Sequence, residues 1–497
     1  MTTPLAERSG RLLPAPARVA ETLCQALRDL ADARPNALAL IGEKQDFTWA
    51  TLDEMVANAA GVLRAAGVKP GDVVGLMLPR TPELAVGFLA IARLGAVAVP
   101  INHKLRARWI DAQMDGLSVI IVDPLLESGL SGTGSSGAVR LVPGDLMERA
   151  AEPIKIVPNV TPDTVCYLNC TSGSTGRPKR AATTHAQILA NARATVAASR
   201  QGGDDVFWCL FASFAHPHEF FHRSLVSGAA FVMIETMSPR VVSRTVVHRG
   251  VSHMLVLPGF AELWLDSGHL QGATGHLKRV EAGGSVVTPD LHERMGQVLH
   301  GTFAAVWGST ETTGVAVVSS EDGGEVLQGY EMRVVGDGVA VSQGEVGELW
   351  LSGPAVVTAY TPKAQGQSSP FSDGWFQTGD LVRVDHLGRL HFLGRCSTLL
   401  KVGGARVYPA EVERVLRAHP LVTDAVVVGI PDRRRGEVPI AMVVAAPELQ
   451  QEPGRLRAHC RECLAGYKVP RHIVFVSEIP RLPGGKVDRQ AVLEQIS

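Results

Sequence analysis

Short apolar runs alternate with stretches of helical period from Leu52 to Gly284. Leu52 to Ala66 has the spacing of a helix that faces a core, and Gly67 closes it. Val73 to Met77 reads as a buried strand, Pro82 to Leu94 as a helix, and Ala96 to Pro100 and Val119 to Val122 as further strands. The cycle resumes with Val206 to Leu210, Ala229 to Ile234, the Val241 to Val247 helix, His253 to Val256 and Leu277 to Val280. Parallel strands need a crossover and a helix supplies it, so this order predicts an α/β fold of mostly parallel, doubly wound sheets.

A chain of 497 residues is too long for one core. The texture changes beyond Gly314, where short strands separated by Gly, Pro and Asp turns predict a small β-barrel-like subdomain at about 315–395. A compact α+β tail follows. We therefore expect a large N-terminal domain over 1–395 and a small mobile C-terminal domain over 396–497. A net charge of −1 offers no field for nucleic acid or an anionic membrane. Seven scattered cysteines suit a reducing compartment. Neither a signal peptide nor a membrane span is readable, so the expected location is the cytoplasm.

Residues Cys170 to Arg180 read C-T-S-G-S-T-G-R-P-K-R after the apolar run Val165 to Leu168. Glycines let the backbone turn tightly and approach a ligand, while successive N–H groups and hydroxyls make an anion site. The Walker loop is excluded, because Lys179 does not follow Gly176 directly. A polyphosphate is the expected guest, held in a loop between a strand and the helix that starts near Thr184.

His218-Glu219-Phe220-Phe221-His222 matches the H-E-x-x-H spacing of zinc proteases. Pro217 stands where a helix could only begin, and His216 is too close in sequence for usual third-ligand spacing. The expectation is instead an aromatic, His-rich wall of an organic-acid pocket.

Four further stretches follow in order: Val306-Trp307-Gly308-Ser309-Thr310-Glu311-Thr312; Trp375 to Asp380 with Gly394-Arg395; Lys401 to Glu413; and Pro480 to Arg489. Together with the hydroxyl-rich loop they resemble the adenylate-forming superfamily of acyl-CoA synthetases, peptide-synthetase adenylation domains and luciferases. The resemblance runs from about Ala20 to the C-terminus. It implies that a carboxylate attacks the α-phosphate of ATP with Mg²⁺, giving an acyl-adenylate and pyrophosphate, and that a thiol then displaces AMP.

The resemblance also implies roles. Thr171, Ser172, Gly173, Ser174, Thr175, Gly176 and Lys179 cradle the β- and γ-phosphates. Glu311 holds Mg²⁺ with Thr175, and Thr310 contacts the α-phosphate. Lys486 bridges carboxylate and phosphate as the transferring charge develops. Asp380 accepts the ribose hydroxyls beside Arg395, and Trp307 stacks on adenine with Gly283, Gly284 and Ser285 along the other edge. Ser397 is the hinge about which the tail swings, bringing Lys401, Gly403 and Gly404 to the site for the second half-reaction. Pocket residues are His216, Phe220, Phe221, Gly308, Val315 and Ala316. Arg180 departs from the usual Gly, and Ser397 from the usual Asp or Lys.

No Asp lies in Phe214 to His218, where amino-acid adenylators hold the substrate ammonium, so the expected substrate is a non-amino-acid carboxylic acid with an apolar or aromatic body. Coenzyme A is the expected acceptor, since no carrier domain follows Ser497. A free-standing enzyme that loads a separate carrier protein, and a non-catalytic nucleotide- and acyl-binding relative, are the alternatives. ATP, Mg²⁺ and coenzyme A are the implied small molecules.

Overall fold

The computed structural model describes residues 20–105, 107–130, 138–150, 152–155, 159–171, 179–320, 322–361, 369–450, 452–481 and 487–496. The chain divides into two compact units, one of residues 1–331 with 352–376, the other of 332–351 with 377–497. Among the described residues no helix is long and apolar enough to cross a membrane.

Local signals set most element ends. Thr22 caps the Leu23–Ala33 helix by accepting from the Gln25 N–H at 3.2 Å, and Leu23, Ala26, Leu27 and Leu30 form its buried stripe. Thr48 caps the Trp49–Ala65 helix in the same way, so the helix begins at Trp49.

The first unit holds two sheets. In one, the spatial order is Tyr360–Thr361, Lys179–Thr184, Val165–Thr171, Val97–Pro100, Val73–Met77, Leu117–Val122 and Val139–Leu141. In the other, parallel strands Leu38–Gly42, Ala230–Met233, Val206–Cys209, His253–Val256, Arg279–Ala282 and Thr302–Ser309 lie side by side. The Pro82–Arg93 helix is buried on every side from Leu84 onward and packs on strands of both sheets. A helix apolar all round belongs between layers. Its one buried charge, Arg93, pairs with Asp53. Phe88 of this helix meets Tyr167 at 5.6 Å between ring centroids and Phe221 at 5.3 Å. Each fully buried aromatic or Leu side chain contributes about 1.5–3 kcal/mol.

The region read as a small barrel is not one. Gly314–Ser320 and Gly323–Val326 pair antiparallel beyond Thr302–Ser309 and extend that sheet. In the second unit, Val339–Ala340, Glu331–Gly336, Val346–Ser352, Trp375–Val384 and Leu390–Arg395 lie in open order. Alternating burial along Val346–Ser352 shows one covered face, which an open sheet satisfies without closing.

The rest of the second unit is α+β. Val422–Asp432 and Gly436–Ala445 form a long antiparallel hairpin, His472–Phe475 adds a parallel strand, and Leu400–Val402 with Ala405–Val407 a short hairpin. The Pro409–Arg417 and Pro453–Cys463 helices cover this sheet's core. Cys460 packs there, whereas Cys463 is exposed.

Candidate active site

The hydroxyl-rich loop joins two strands of a hairpin. Val165–Thr171 pairs antiparallel with Lys179–Thr184, and Thr171 faces Lys179 across the ladder. Lys179 is therefore a strand residue, and the helix begins only after Thr184, which makes a capping box with Gln187. Sequence periodicity missed the second strand because it is short and runs straight into the helix. Ser172, Gly173, Ser174, Thr175 and Gly176 lie outside the described residues, as does the side chain of Thr171.

Next to this hairpin a second one presents Thr310 and Glu311. Thr302–Ser309 and Gly314–Ser320 pair antiparallel, so Thr310 to Thr313 form the turn. Thr312 ties the turn shut, accepting from the Ser309 N–H at 2.9 Å and donating to the Gly314 carbonyl at 2.7 Å. Gly308 is dictated by packing, since a Cβ there would lie 2.3 Å from the Gly314 carbonyl oxygen. Gly283 has the same cause: its Cβ would lie 2.9 Å from the Val306 carbonyl oxygen. Gly284 and Ser285 follow it, exposed, and Trp307 is half-buried on the strand that neighbours Arg279–Ala282.

The two hairpins meet through side chains that periodicity does not reveal. Asn169 Nδ2 lies 3.2 Å from Thr310 Oγ1 and 3.1 Å from His216 Nδ1. Tyr360 donates its phenol hydrogen to Glu311 Oε1. The Lys179 ammonium sits over the Tyr360 ring, 5.3 Å from its centroid. Asn169 had a signal, a polar residue inside a buried apolar strand. Tyr360 had none, because only strand register places it opposite Ala181.

The H-E-F-F-H segment braces this turn from behind. It is not one helix: Pro217–Phe220 is a 3₁₀ turn, Phe221 breaks it, and His222–Ser227 is a separate α-turn. His218 Nε2 donates to the Thr313 carbonyl at 3.0 Å, and His222 Nε2 donates to Asn191 Oδ1 at 3.1 Å. Asn191 donates to the Val315 carbonyl and to Tyr330, which donates to the Thr312 carbonyl. Burial pushes His218 down to about 4 and His222 well below its usual range, so both rings are neutral. Both Nε2 atoms are committed as donors to protein oxygens.

Glu219, between them, is pushed up to about 7, chiefly by burial. Arg223 lies 2.7 Å from Glu281, which Arg279 also contacts, so the buried positive charge is given to Glu281. Phe220, Phe221 and Ala316 have no exposed surface and Val315 very little. His216 alone of the aromatic pocket candidates is partly exposed.

In the second unit, Asp380 and Arg395 face each other across the Trp375–Val384 and Leu390–Arg395 strands, 2.7 Å apart. Asp380 is 6% exposed, and its own N–H is held by Thr378 Oγ1 at 3.0 Å. Ser397 is exposed in a 3₁₀ turn directly after Arg395. Lys401 is exposed on the Leu400–Val402 strand, and Gly403 and Gly404 form the tight turn to Ala405–Val407. Lys486 lies outside the described residues; Arg481 and Val487, flanking its loop, form an isolated antiparallel bridge.

A family model described as AMP-binding enzyme matches residues 27–361, and one described as AMP-binding enzyme C-terminal domain matches residues 411–486. The chain belongs to the AMP-binding enzyme family. This AMP-binding enzyme is an AMP-forming acid–thiol ligase. A feruloyl-CoA synthase of Amycolatopsis sp is 31% identical over 475 residues, covering 91% of this chain and 94% of the relative. A fatty acid–[acyl-carrier-protein] ligase of Streptomyces coeruleorubidus is 29% identical over 508 residues, covering 96% of each. The ATP-bound structure of MatB from Rhodopseudomonas palustris superposes with a TM-score of 0.86 at 26% identity, covering 96% of this chain and 99% of that one.

The residues of the enzyme's Thr310–Thr313 turn suit a hard divalent cation. Glu311 is 9% exposed and offers carboxylate oxygens, with one of them, Oε1, already oriented by Tyr360. A carboxylate oxygen is the kind of ligand Mg²⁺ prefers.

Proposed function

We propose that the enzyme converts a carboxylic acid with an apolar or aromatic body into its coenzyme A thioester through an acyl-adenylate. The reading rests on one observation above all: Asn169 joins Thr310, the residue expected at the α-phosphate, to His216, the half-buried residue expected at the acid. The groups that would hold the two reactants are thereby within one side chain of each other.

In the first step a carboxylate oxygen attacks the α-phosphorus, and the bond to the β-phosphate oxygen breaks as pyrophosphate leaves. Thr310 and the hydroxyl-rich loop up to Lys179 orient the phosphates. Glu311 with Thr175 would hold Mg²⁺, which would supply charge neutralisation for the triphosphate. Lys486 brings a positive charge to the oxygens between the two anions, which otherwise repel each other. Asp380, with Arg395 beside it, takes the ribose hydroxyls, and Trp307 stacks on the base. In the second step the thiol sulfur attacks the acyl carbon, the carbon–oxygen bond to AMP breaks, and the thiol proton is released. The tail beyond Ser397 turns to present Lys401, Gly403 and Gly404 for this step.

Glu219 supports a substrate without an ammonium group, because the carboxyl nearest His216 in sequence is fully buried and held towards its neutral form. A hydrophobic pocket separates such acids weakly. ATP–pyrophosphate exchange across a panel of aryl, indolyl, medium-chain and amino acids tests the reading. Exchange with apolar acids and none with amino acids is expected; exchange confined to amino acids would sink it. Thioester formation with free coenzyme A, set against a phosphopantetheinylated carrier protein, then decides the acceptor. The likeness to a carrier-loading relative makes that comparison necessary.

A further inference from the structure

We propose that Asn169 is a positioning residue that sets the proton arrangement of both sides of the site at once, donating one amide hydrogen to Thr310 Oγ1 and the other to His216 Nδ1. The proposal deepens the function proposed above and rests on its assignment of Thr310 and His216.

The geometry is specific. An amide nitrogen carries two hydrogens and accepts none. At 3.2 Å from Thr310 Oγ1 and 3.1 Å from His216 Nδ1, Asn169 Nδ2 spends one hydrogen on each. His216 Nδ1 must therefore be the unprotonated nitrogen, so the ring is the neutral tautomer with its proton on Nε2. Thr310 Oγ1 accepts from Asn169 through one lone pair, which leaves its own hydrogen available to donate. A phosphate oxygen needs a donor, and the bond from Asn169 holds the Thr310 oxygen in place to be one.

Position supports the assignment. Asn169 is 4% exposed and lies on the Val165–Thr171 strand, opposite Ala181, two residues before the hydroxyl-rich loop. A side chain on a paired strand holds geometry better than one on a loop. Its two partners lie 47 and 141 residues away, on separate segments. An Asp at this position would have to accept rather than donate, and would add negative charge beside two anionic reactants. A neutral, doubly donating side chain meets the need that a carboxylate cannot.

The test uses the full-length enzyme labelled with ¹⁵N-histidine. Ring ¹⁵N–¹H spectra, assigned by the loss of one pattern in His216→Gln, report the tautomer. The expected result is a neutral His216 protonated at Nε2. Protonation at Nδ1 in the unsubstituted enzyme would overturn the proposal, and that measurement depends on no substrate. Asn169→Leu, of similar size and without hydrogen-bonding groups, is expected to scatter the His216 tautomer. It should lower the rate of ATP–pyrophosphate exchange about 10- to 100-fold, as a small misplacement of reacting groups does, and raise the KM for the acid. Unchanged exchange kinetics in a folded Asn169→Leu enzyme would count against it. Absence of exchange with every acid in the unsubstituted enzyme would strike the functional reading instead and leave the tautomer result standing.

Discussion

Tyr360 and Glu311 stand 49 residues apart in the chain, and a single hydrogen bond runs from the phenol of one to Oε1 of the other. The same ring lies under the Lys179 ammonium. One side chain thus positions the expected metal ligand and meets the expected phosphate lysine. Outer partners of this kind usually matter to metal affinity by about 10- to 100-fold.

Tyr360→Phe removes the donor and keeps the ring. Affinity of the enzyme for Mn²⁺·ATP, read by Mn²⁺ electron paramagnetic resonance, should fall by about 10-fold, with the Lys179 contact retained. Unaltered Mn²⁺ affinity would show that the bond orients nothing.

Arg180 departs from the Gly its relatives are expected to carry, and the fold gives the reason. Its guanidinium donates to the carbonyls of Ala112, Gln113 and Asp115, each at 3.1 Å, at the C-terminal end of the Ala107–Met114 helix. Those carbonyls have no helical partner and carry the negative end of the helix dipole. Arg180→Ala should cost about 1–3 kcal/mol in urea unfolding. Stability equal to that of the unsubstituted enzyme would contradict the capping role.

Glu219 makes stability depend on pH. Its carboxyl rises from the ordinary 4.5 to about 7 on folding, chiefly through burial. The folded chain therefore binds more protons than the unfolded one between these values, and stability falls as pH rises through that window. Glu219→Gln removes the titration. The unsubstituted enzyme should lose on the order of 1–3 kcal/mol more than this variant between about pH 5 and pH 8. Parallel pH profiles of unfolding would refute the assignment.

Asp380→Asn keeps the shape but weakens both the bond to Arg395 and acceptance of ribose hydroxyls. The KM for ATP should rise about 10-fold or more, with little change in the KM for the acid. A rise in the acid KM alone would place Asp380 elsewhere.

Lys486→Ala separates the half-reactions. Pyrophosphate release from ATP and acid should vanish, while thioester formation from a supplied acyl-adenylate survives. Equal loss of both steps would mean that Lys486 serves more than adenylation.

Much of this was legible in the residue order. Helix and strand positions follow from spacing that adjacent residues carry themselves, so Val73–Met77, Pro82–Arg93 and His253–Val256 fall within a residue of expectation. The five motifs placed the chain in its family because each is contiguous. The second strand of the loop hairpin was not readable, because six residues from Lys179 to Thr184 blend into the helix that follows. The H-E-F-F-H segment shows that a helical spacing says nothing of whether a helix runs through it: the sequence argued against a zinc helix at Pro217, and the fold interrupts the segment at Phe221.

Sequence by itself determined most of the element order, the family and which residue types could carry the chemistry, since these reside in neighbours along the chain. Only the tertiary structure decided that Asn169 meets Thr310 and His216, that Tyr360 holds Glu311, and that Arg180 caps a helix. Those contacts join residues 47 to 141 positions apart or depend on strand register. A one-residue slip in register turns a side chain to the opposite face, and no local pattern records which register is taken.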